Sequence, residues 1–298
     1  MRNWISDLES CGVREDWQSR LCDSFADTSL YPDELKDVID CLRSGEPLTI
    51  DQGLKLWHYP DLSLIGHLAH VCKYSRFGSD VFFNSNLHVN QTNICTLACK
   101  FCAFRRGPKA KDAYALSIDE FLSRIKPHAT HIDEVHTVGG LHPDWDVEYY
   151  EDLFAAVKSE YNDIHIKSLS AVEVKHIAEL SGISPRSLLS RLQKSGLDSL
   201  PGGGAEILDD RVRNIICNGK ETSDEYISIH RDAHSIGMPT NCTMLFATIE
   251  TPLERISHLC KLRDLQAETG GFQCFVPYPY LPDNSRLPEA QLASSSEV

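Results

Sequence analysis

The sequence lacks two features that would direct the chain to a membrane or to nucleic acid. No apolar run approaches the roughly 20 residues that a membrane helix needs, and the first residues lack the apolar core of a signal peptide. Positive charge is scarce, because 29 Lys and Arg residues stand against 43 Asp and Glu residues, a formal net charge of −14. Such a chain has no general attraction for phosphate backbones or anionic lipid. We therefore expect a cytoplasmic protein with no nucleic-acid partner and no membrane partner.

Cysteine, in contrast, is abundant for a chain expected in the cytoplasm. The 298 residues include eleven cysteines, and both the odd number and the length argue against the disulfide framework of a small secreted scaffold. Eight of the cysteines lie singly along the chain, and we expect each of them to be a small buried hydrophobe. The other three, Cys95, Cys99 and Cys102, fall within eight residues. These three indicate a functional site.

The pattern of apolar residues divides the chain into three parts. Residues 1–78 have helical spacing with short linkers, residues 79–283 alternate strand and helix, and residues 284–298 are polar and are expected to be disordered. We predict strands at residues 81–90, 134–138, 164–169, 197–200, 240–246 and 272–276. Alternation of this kind predicts parallel β/α units, with the active site just after the strands. The predicted fold is therefore α/β, a partial (β/α)6 TIM-type barrel preceded by a helical segment.

The three clustered cysteines have C-x3-C-x2-C spacing on a loop that directly follows a predicted strand. Three thiolates can hold three corners of a 4Fe–4S cluster and leave the fourth iron without a protein ligand. That iron can bind the amino and carboxylate groups of S-adenosylmethionine. A zinc site is the alternative, but it needs a fourth ligand such as His88 or His136 at an unfavourable spacing. A group of reduced structural cysteines is the other alternative.

The cysteine loop resembles that of the radical S-adenosylmethionine enzymes. Residues 90–95 (NQTNIC) and 99–104 (CKFCAF) are similar to the group that contains aminofutalosine synthase, dehypoxanthine futalosine cyclase and deazaflavin-cofactor synthase. Residues 138–145 (VGGLHPDW) resemble the aminofutalosine synthase family most, and residues 201–207 and 268–273 resemble the same group. The resemblance covers about residues 40 to 286.

This resemblance implies a specific radical reaction. One electron cleaves S-adenosylmethionine, and the 5′-deoxyadenosyl radical adds to the enolpyruvyl double bond of 3-[(1-carboxyvinyl)oxy]benzoate. Rearrangement and loss of bicarbonate then give aminofutalosine, an intermediate of menaquinone biosynthesis. The resemblance also implies a reductant protein such as flavodoxin or ferredoxin. The cyclase, the deazaflavin synthase and a truncated, inactive cluster-binding homologue stay open as alternatives.

The resemblance also implies ligands for the cluster and for the cofactor. Cys95, Cys99 and Cys102 would bind iron, and Phe101 would lie near the adenine. Gly139 and Gly140 would let backbone approach the methionine end of the cofactor, although a tight turn explains the same two glycines. We expect Glu173, which follows the third strand, to bond the ribose or the cofactor amine, and a surface charge is the alternative.

Substrate recognition is expected from residues after the later strands. His142 is a candidate acid or base because imidazole changes charge near neutral pH. Gly203 and Gly204 could bind substrate oxygens through free amides, and Glu206 beside them is a second catalytic candidate. Two substrate carboxylates in a chain of charge −14 need local cations, for which we select Arg105, Arg106 and Arg286. The alternatives are an ordinary loop and solvated surface arginines.

Two departures from the family pattern are visible. Ala247 and Thr248 stand where the resemblance predicts a Gly-His pair, which puts a substrate or cofactor contact in question. Family members also continue for several tens of residues past Pro282-Asp283-Asn284. On that basis we expect cofactor cleavage to be retained, while product formation is less tightly coupled to it.

Overall fold

A computed structural model of the chain describes residues 12–295 and 297, and it separates into two compact units. The first unit extends to Phe83 and the second begins at Asn84, five residues later than the predicted change at 78/79. Residues 81–84, predicted as part of a strand, belong to no strand or helix. Val81 and Phe83 are 82% and 92% exposed, so these side chains have no packed layer that would hold a strand there.

The first unit is helical, as predicted. Its helices pack around a core formed by Leu21, Phe25, Leu35, Val38, Ile39 and Leu68. The α-helices are α1 (Trp17–Ser24), α2 (Lys36–Ser44), α3 (Ile50–Trp57) and α4 (Leu62–Phe77), with 3₁₀ turns at Thr28–Leu30 and Asp33–Leu35. Thr49 begins α3 with a reciprocal capping box to Gln52, and Gly45 at φ +75° ends α2.

The second unit alternates strands and helices. Its strands are β1 (Asn86–His88), β2 (Glu134–Thr137), β3 (His165–Ser168), β4 (Thr240–Phe246) and β5 (Phe272–Pro279). Its helices are α5 (Ile118–Ile125), α6 (Val147–Glu160), α7 (Ala171–Ser181), α8 (Pro185–Lys194), α9 (Asp210–Ile216), α10 (Ser223–Ser235) and α11 (Pro252–Thr269). Capping boxes begin four of these helices, at Ser117/Glu120, Ser170/Glu173, Thr222/Glu225 and Thr251/Glu254.

The strands run parallel and follow their order in the chain. β2 pairs with both β1 and β3, and β4 pairs with β5. The segment predicted as a strand at 197–200 is reduced to single bridges, from Ser199 to Lys167 of β3 and from Leu200 to Thr240 of β4. These bridges connect the two sheets into one curved wall, so the fold is the predicted partial β/α barrel.

The polar tail differs from its prediction. Residues 284–295 were expected to be disordered, but the structure shows them in contact with the rest of the second unit. Leu287 is buried, the Arg286 N–H donates to the Lys100 carbonyl at 2.6 Å, and the Gln291 N–H donates to the Thr248 carbonyl at 3.0 Å. Within the described residues, no helix is both long and apolar enough to cross a membrane.

Candidate active site

The cysteine loop lies beyond the carboxyl end of β1 and is closed by its own backbone. The Cys95 N–H donates to the Arg106 carbonyl at 3.0 Å, and the Arg106 N–H donates to the Asn93 carbonyl at 2.7 Å. The loop therefore leaves the barrel at Asn93 and returns beside the same residue. The thiols are carried on a closed excursion rather than on a free strand end.

The loop that follows β2 is bonded directly to the cysteine loop. The Gly140 N–H donates to the Thr92 carbonyl at 2.9 Å, and the Thr96 N–H donates to the Leu141 carbonyl at 3.1 Å. A Cβ atom on Gly140 would lie 2.1 Å from the Ile94 carbonyl oxygen, a distance that no side chain tolerates. We predicted that Gly140 lets the backbone approach a cofactor. The structure instead shows that Gly140 lets the backbone approach the cysteine loop.

The three thiols fit a 4Fe–4S cluster better than a single metal ion. Cys99 is buried, while Cys95 and Cys102 are half-buried. Burial raises the pKa of the Cys99 thiol to about 11, so a bound metal has to stabilise its thiolate form. Across residues 12–295, no three His, Cys, Asp or Glu side chains converge on one ion. A cluster does not require that convergence, because each thiolate binds a different iron.

The histidines considered as zinc ligands are paired with each other. His88 of β1 and His136 of β2 are register partners, and their ring centroids are 5.0 Å apart. Within the described residues, neither forms a group with the cysteines that could hold one metal ion, so the zinc alternative gains no support.

Three arginines brace the cysteine loop. Arg105 Nε donates to the Leu97 carbonyl at 2.8 Å, and Arg286 Nη2 donates to the Ala98 carbonyl at 3.1 Å. Arg106 Nη1 donates to the carbonyls of residues 103, 104 and 105, and its Nε pairs with Asp112 at 2.6 Å. We predicted that these arginines bind substrate carboxylates. The contacts found are with backbone carbonyls of the loop, so the prediction gains no support.

Glu173 is placed where predicted, after β3, but its partners are protein groups. The carboxylate is buried, and Oε1 accepts from the Gly139 N–H at 2.8 Å and from Gln91 Nε2 at 3.3 Å. Oε2 accepts from the N–H and the hydroxyl of Ser170 at 2.8 and 2.6 Å. Burial raises the pKa of Glu173, and these donors partly oppose that rise. The expected bond to the ribose or amine would need an oxygen that already accepts two hydrogen bonds.

Gln91 completes the same network and had no role in the sequence-based prediction. Its Oε1 accepts from the Thr137 hydroxyl at 2.7 Å. A Cβ atom on Gly139 would lie 2.6 Å from Gln91 Nε2, so the bare backbone at Gly139 leaves room for the amide. Gln91 lies in the NQTNIC motif, on which the family resemblance rests. Its place four residues before Cys95 is the feature of the sequence that could have indicated a role at this site.

Glu206 meets the cysteine loop through a lysine. Glu206 is buried at φ +42°, and its carboxylate bonds Lys220 Nζ. That Nζ lies 5.4 Å from the centroid of the Phe101 ring. Burial raises the pKa of Glu206, but the charges of Lys220 and Arg213 lower it by more, so the carboxyl stays ionised. The structure thus brings together Glu206 and Phe101, both predicted, and Lys220, which had not been singled out.

The triple glycine lies against a second acidic group. Arg213 donates to the carbonyls of Gly204 and Glu221 at 3.0 and 2.6 Å. Burial raises the pKa of the Glu221 carboxyl to about 7. Arg213 Nη2 lies 3.2 Å from Glu221 Oε1 without hydrogen-bond geometry, and neither carboxyl oxygen has a hydrogen-bond partner in the described part of the chain. The Gly203 carbonyl accepts from the Ala171 N–H at 3.3 Å, so this loop also contacts α7.

His142 lies in an aromatic stack. Its ring is 4.3 Å from that of Trp145, which in turn is 3.8 Å from that of Tyr149. The Asp144 N–H donates to His142 Nδ1 at 3.3 Å, and this contact assigns the ring proton to Nε2. Burial lowers the pKa of His142. The imidazole is therefore neutral at pH 7 and carries one N–H donor.

The departure at Ala247-Thr248 has a structural consequence. Ala247 adopts φ +65°, a conformation that favours glycine. The N–H groups of Ala247 and Thr248 both donate to Glu250, at 2.6 and 2.9 Å. The backbone shape expected of a glycine is thus retained without the glycine, while the histidine position is filled by a buried threonine.

Comparison with known proteins identifies relatives. Residues 89–262 match the family model described as "Radical SAM superfamily". The chain is 41% identical over 243 residues to an aminodeoxyfutalosine synthase of Streptomyces coelicolor, covering 81% of this chain and 63% of the relative. It is 37% identical to a cyclic dehypoxanthine futalosine synthase of the same organism, covering 85% and 65%. It is 38% identical to a 5-amino-6-(D-ribitylamino)uracil–L-tyrosine 4-hydroxyphenyl transferase of Methanosarcina barkeri, covering 85% and 66%. The chain spans about two thirds of the length of these relatives.

Among solved structures, the chain resembles the [FeFe]-hydrogenase maturase HydG from Carboxydothermus hydrogenoformans. The TM-score is 0.68 at 18% sequence identity, covering 94% of this chain and 64% of that one. At this identity the likeness supports the fold.

Proposed function

The chain belongs to the radical SAM superfamily, which uses a 4Fe–4S cluster and S-adenosylmethionine, and on that premise we propose that it is an aminodeoxyfutalosine synthase. It would join the 5′-deoxyadenosyl group to 3-[(1-carboxyvinyl)oxy]benzoate and form 6-amino-6-deoxyfutalosine for menaquinone biosynthesis. The observation that carries the proposal is the VGGLHPDW loop. This loop resembles the synthase most, and Gly140 and Leu141 within it are bonded to the cysteine loop.

Cys95, Cys99 and Cys102 would hold the cluster in this proposal. When bound, the cluster and S-adenosylmethionine supply the 5′-deoxyadenosyl radical. Phe101 lies between Cys99 and Cys102 in the sequence, and Lys220 contacts its ring. This contact holds the Phe101 ring in place on the cysteine loop. A fixed loop matters because radical addition requires the reacting carbon atoms to be held close and aligned.

His142 supports the proposal because its neutral ring, protonated at Nε2, can bind an oxygen of the substrate. A neutral imidazole with Nε2–H can donate a hydrogen bond to a carboxylate or carbonyl oxygen without bringing a charge. Glu206 and Lys220 form an ion pair rather than a free acid, which favours an orienting role over proton transfer. The carboxyl of Glu221, with a pKa raised to about 7, is the better candidate for exchanging a proton at neutral pH.

A second candidate is one of the sister reactions. Identities of 37% and 38% to the cyclase and to the hydroxyphenyl transferase are close to the 41% to the synthase. All three classes would share the cysteine loop and the barrel. They differ in the molecule that enters it.

The decisive experiment is a comparison of substrates under anaerobic conditions. Enzyme with reconstituted cluster is incubated with dithionite, S-adenosylmethionine and either the enolpyruvyl benzoate, dehypoxanthine futalosine, or tyrosine with 5-amino-6-(D-ribitylamino)uracil. The proposal predicts a new adenosyl-containing product with the first substrate alone. A product from either of the others would establish the sister reaction. The formation of 5′-deoxyadenosine without any product would favour a homologue that has lost substrate chemistry.

A further inference from the structure

The interior wall of the barrel carries polar residues where a barrel of this type usually carries branched apolar ones. Leu87, Val135 and Ile166 pack in the core that faces the helices. Side chains alternate along a strand, so their neighbours point into the lumen. These neighbours form one row across three strands, because His88 pairs with His136 and His136 pairs with Lys167. Interior layers of such barrels are normally dominated by Val, Ile and Leu.

An ion pair lies at the centre of this polar wall. Lys167 Nζ is 2.8 Å from Glu134 Oε2, and the side chains are only 11% and 4% exposed. Glu134 is next to Val135 along β2, and Lys167 is next to Ile166 along β3, and Val135 and Ile166 both pack in the core that faces the helices. The pair is therefore directed away from the helices.

Such a pair is a poor device for stability. The desolvation of two buried charges offsets most of their attraction, and apolar replacements of similar volume are often neutral or stabilising. The pair also leaves polar capacity unused. Glu134 Oε1 is buried without a hydrogen-bond partner among the described residues, and an ammonium has three donors, of which Glu134 takes one. The wall thus offers donors to a molecule in the lumen.

From this geometry we propose that Lys167, held in place by Glu134, anchors the ring carboxylate of an aromatic acid inside the lumen, with His88 and His136 as neighbouring donors. The proposal rests on the proposed function and specifies how that substrate is oriented. The cysteine loop lies beyond the carboxyl ends of the strands, so the vinyl group must lie toward that end. The benzoate end then points to Lys167, the third of the four residues of β3.

A double comparison of enzyme and substrate tests the anchor. Steady-state kinetics of product and 5′-deoxyadenosine formation are measured for holoenzyme and for Lys167→Met. The two substrates are the enolpyruvyl benzoate and its analogue with a phenyl group in place of the benzoate. Loss of a charge-assisted hydrogen bond predicts a rise in KM of about 10- to 100-fold for the carboxylated substrate. The KM of the phenyl analogue is expected to change by less than about twofold.

Three further variants keep the outcome interpretable. Lys167→Arg preserves the charge and is expected to retain most of the affinity for the carboxylated substrate. Glu134→Gln removes the group that holds Lys167 and should give an intermediate KM. Lys158→Met is the matched control, because Lys158 pairs with Asp198 at 2.7 Å outside the polar row and should leave both KM values unchanged. Equal KM changes for both substrates in Lys167→Met would overturn the proposal, since they would indicate lost packing alone.

A binding measurement separates this proposal from the proposed function. If the native holoenzyme forms no product from the enolpyruvyl benzoate, the function fails, but the lumen can still be tested with benzoate and benzamide by calorimetry. The anchor predicts that benzoate binds more tightly than benzamide and that Lys167→Met removes the difference. Equal binding of the two probes to the native protein would overturn the anchor.

Discussion

The barrel uses charged side chains in two regions, and the two uses differ. At the cysteine loop, the guanidinium groups of Arg105, Arg106 and Arg286 donate to backbone carbonyls of the loop itself. In the lumen, Lys167 and Glu134 contact each other and face the interior, and one carboxylate oxygen has no hydrogen-bond partner among the residues that the structure describes. In the first region, the side-chain hydrogen bonds of the arginines hold the backbone of the loop. The second holds hydrogen-bonding capacity for a molecule that enters.

Charge near a candidate active site is therefore not by itself evidence of ligand binding. Three arginines close to the cysteines suggested carboxylate recognition, yet the contacts found for their side chains are with protein groups. A lysine with no motif around it has donors to spare. The kind of partner and the burial separate the two cases, because the arginines bond backbone carbonyls of the loop, whereas Lys167 and Glu134 are buried against each other.

Substitution of the cysteines is expected to give the largest effect. Ala at Cys95, Cys99 or Cys102 should abolish both the visible absorption of the cluster and cofactor cleavage, because three thiolates are needed to hold three irons. Cys22→Ala, in the helical unit, is the control and should retain iron. Full iron retention in the triple variant would remove the cysteine loop from the account.

A single methyl group at the loop junction should be nearly as damaging. Gly140→Ala would place Cβ 2.1 Å from the Ile94 carbonyl oxygen, so the loop after β2 must separate from the cysteine loop. We expect most of the reconstituted iron to be lost, with helix content unchanged by circular dichroism. Gly66→Ala is the matched control, since nothing lies within 4 Å of its Cβ position. Equal iron in the two variants would contradict the close contact between loops.

Removal of the Glu173 carboxylate should destabilise the second unit. Glu173→Ala leaves buried donors of Gly139, Ser170 and Gln91 unpaired, and we expect a loss of about 2–4 kcal/mol in the free energy of unfolding. Glu120→Ala removes an equivalent but exposed capping box and should cost only about 1 kcal/mol. Urea denaturation measures both. If Glu173→Ala lowers the free energy of unfolding by less than Glu120→Ala does, the buried network does not contribute as described.

Loss of the Arg106 side chain should moderately raise the KM for S-adenosylmethionine without changing substrate selectivity. Arg106→Met removes the Nη1 group that contacts three carbonyls of the loop, and we expect the KM for S-adenosylmethionine to rise about three- to tenfold. The ratio of KM values for the carboxylated and phenyl substrates should stay unchanged, in contrast to Lys167→Met. A change in that ratio would show that Arg106 reads the substrate carboxylate after all.

The smallest expected effect is a gain. Ala247 adopts φ +65°, where a side chain costs about 1–2 kcal/mol, so Ala247→Gly should raise the free energy of unfolding by about 1 kcal/mol after the entropy of glycine is subtracted. A thermal melt of the two proteins measures the shift. A lower melting temperature for the glycine variant would show that the strain is relieved elsewhere.

The sequence was sufficient for features set by local chemistry. Ser117 with Glu120 and Thr251 with Pro252 and Glu254 predicted helix starts that the structure contains. The segments 134–138 and 240–246 are predicted strands because they alternate with capped helices, and the structure contains a strand in each. The prediction failed at 81–84, where Val81 and Phe83 have a strand-like composition but no partner. Pairing is a property of two segments, and one segment cannot reveal it.

The candidate site was predictable only in part for the same reason. The spacing of Cys95, Cys99 and Cys102 identifies a cluster loop without any three-dimensional information. Gly139 and Gln91 lie 34 and 82 residues from their partner Glu173, and Ala98 lies 188 residues from Arg286, so these contacts depend on the fold. Lys167 and Lys220 have no distinguishing sequence context. Only strand register and burial show that one faces the lumen and the other faces the cysteine loop.

The most direct test of the account follows the carbon atoms of the cofactor. Holoenzyme is incubated anaerobically with dithionite, the enolpyruvyl benzoate and S-adenosylmethionine labelled with ¹³C in the ribose, and the products are analysed by mass spectrometry. If the chain is an aminodeoxyfutalosine synthase, the label appears in a product that also contains the benzoate ring and adenine. Label found only in 5′-deoxyadenosine, with the enolpyruvyl benzoate recovered unchanged, would contradict it.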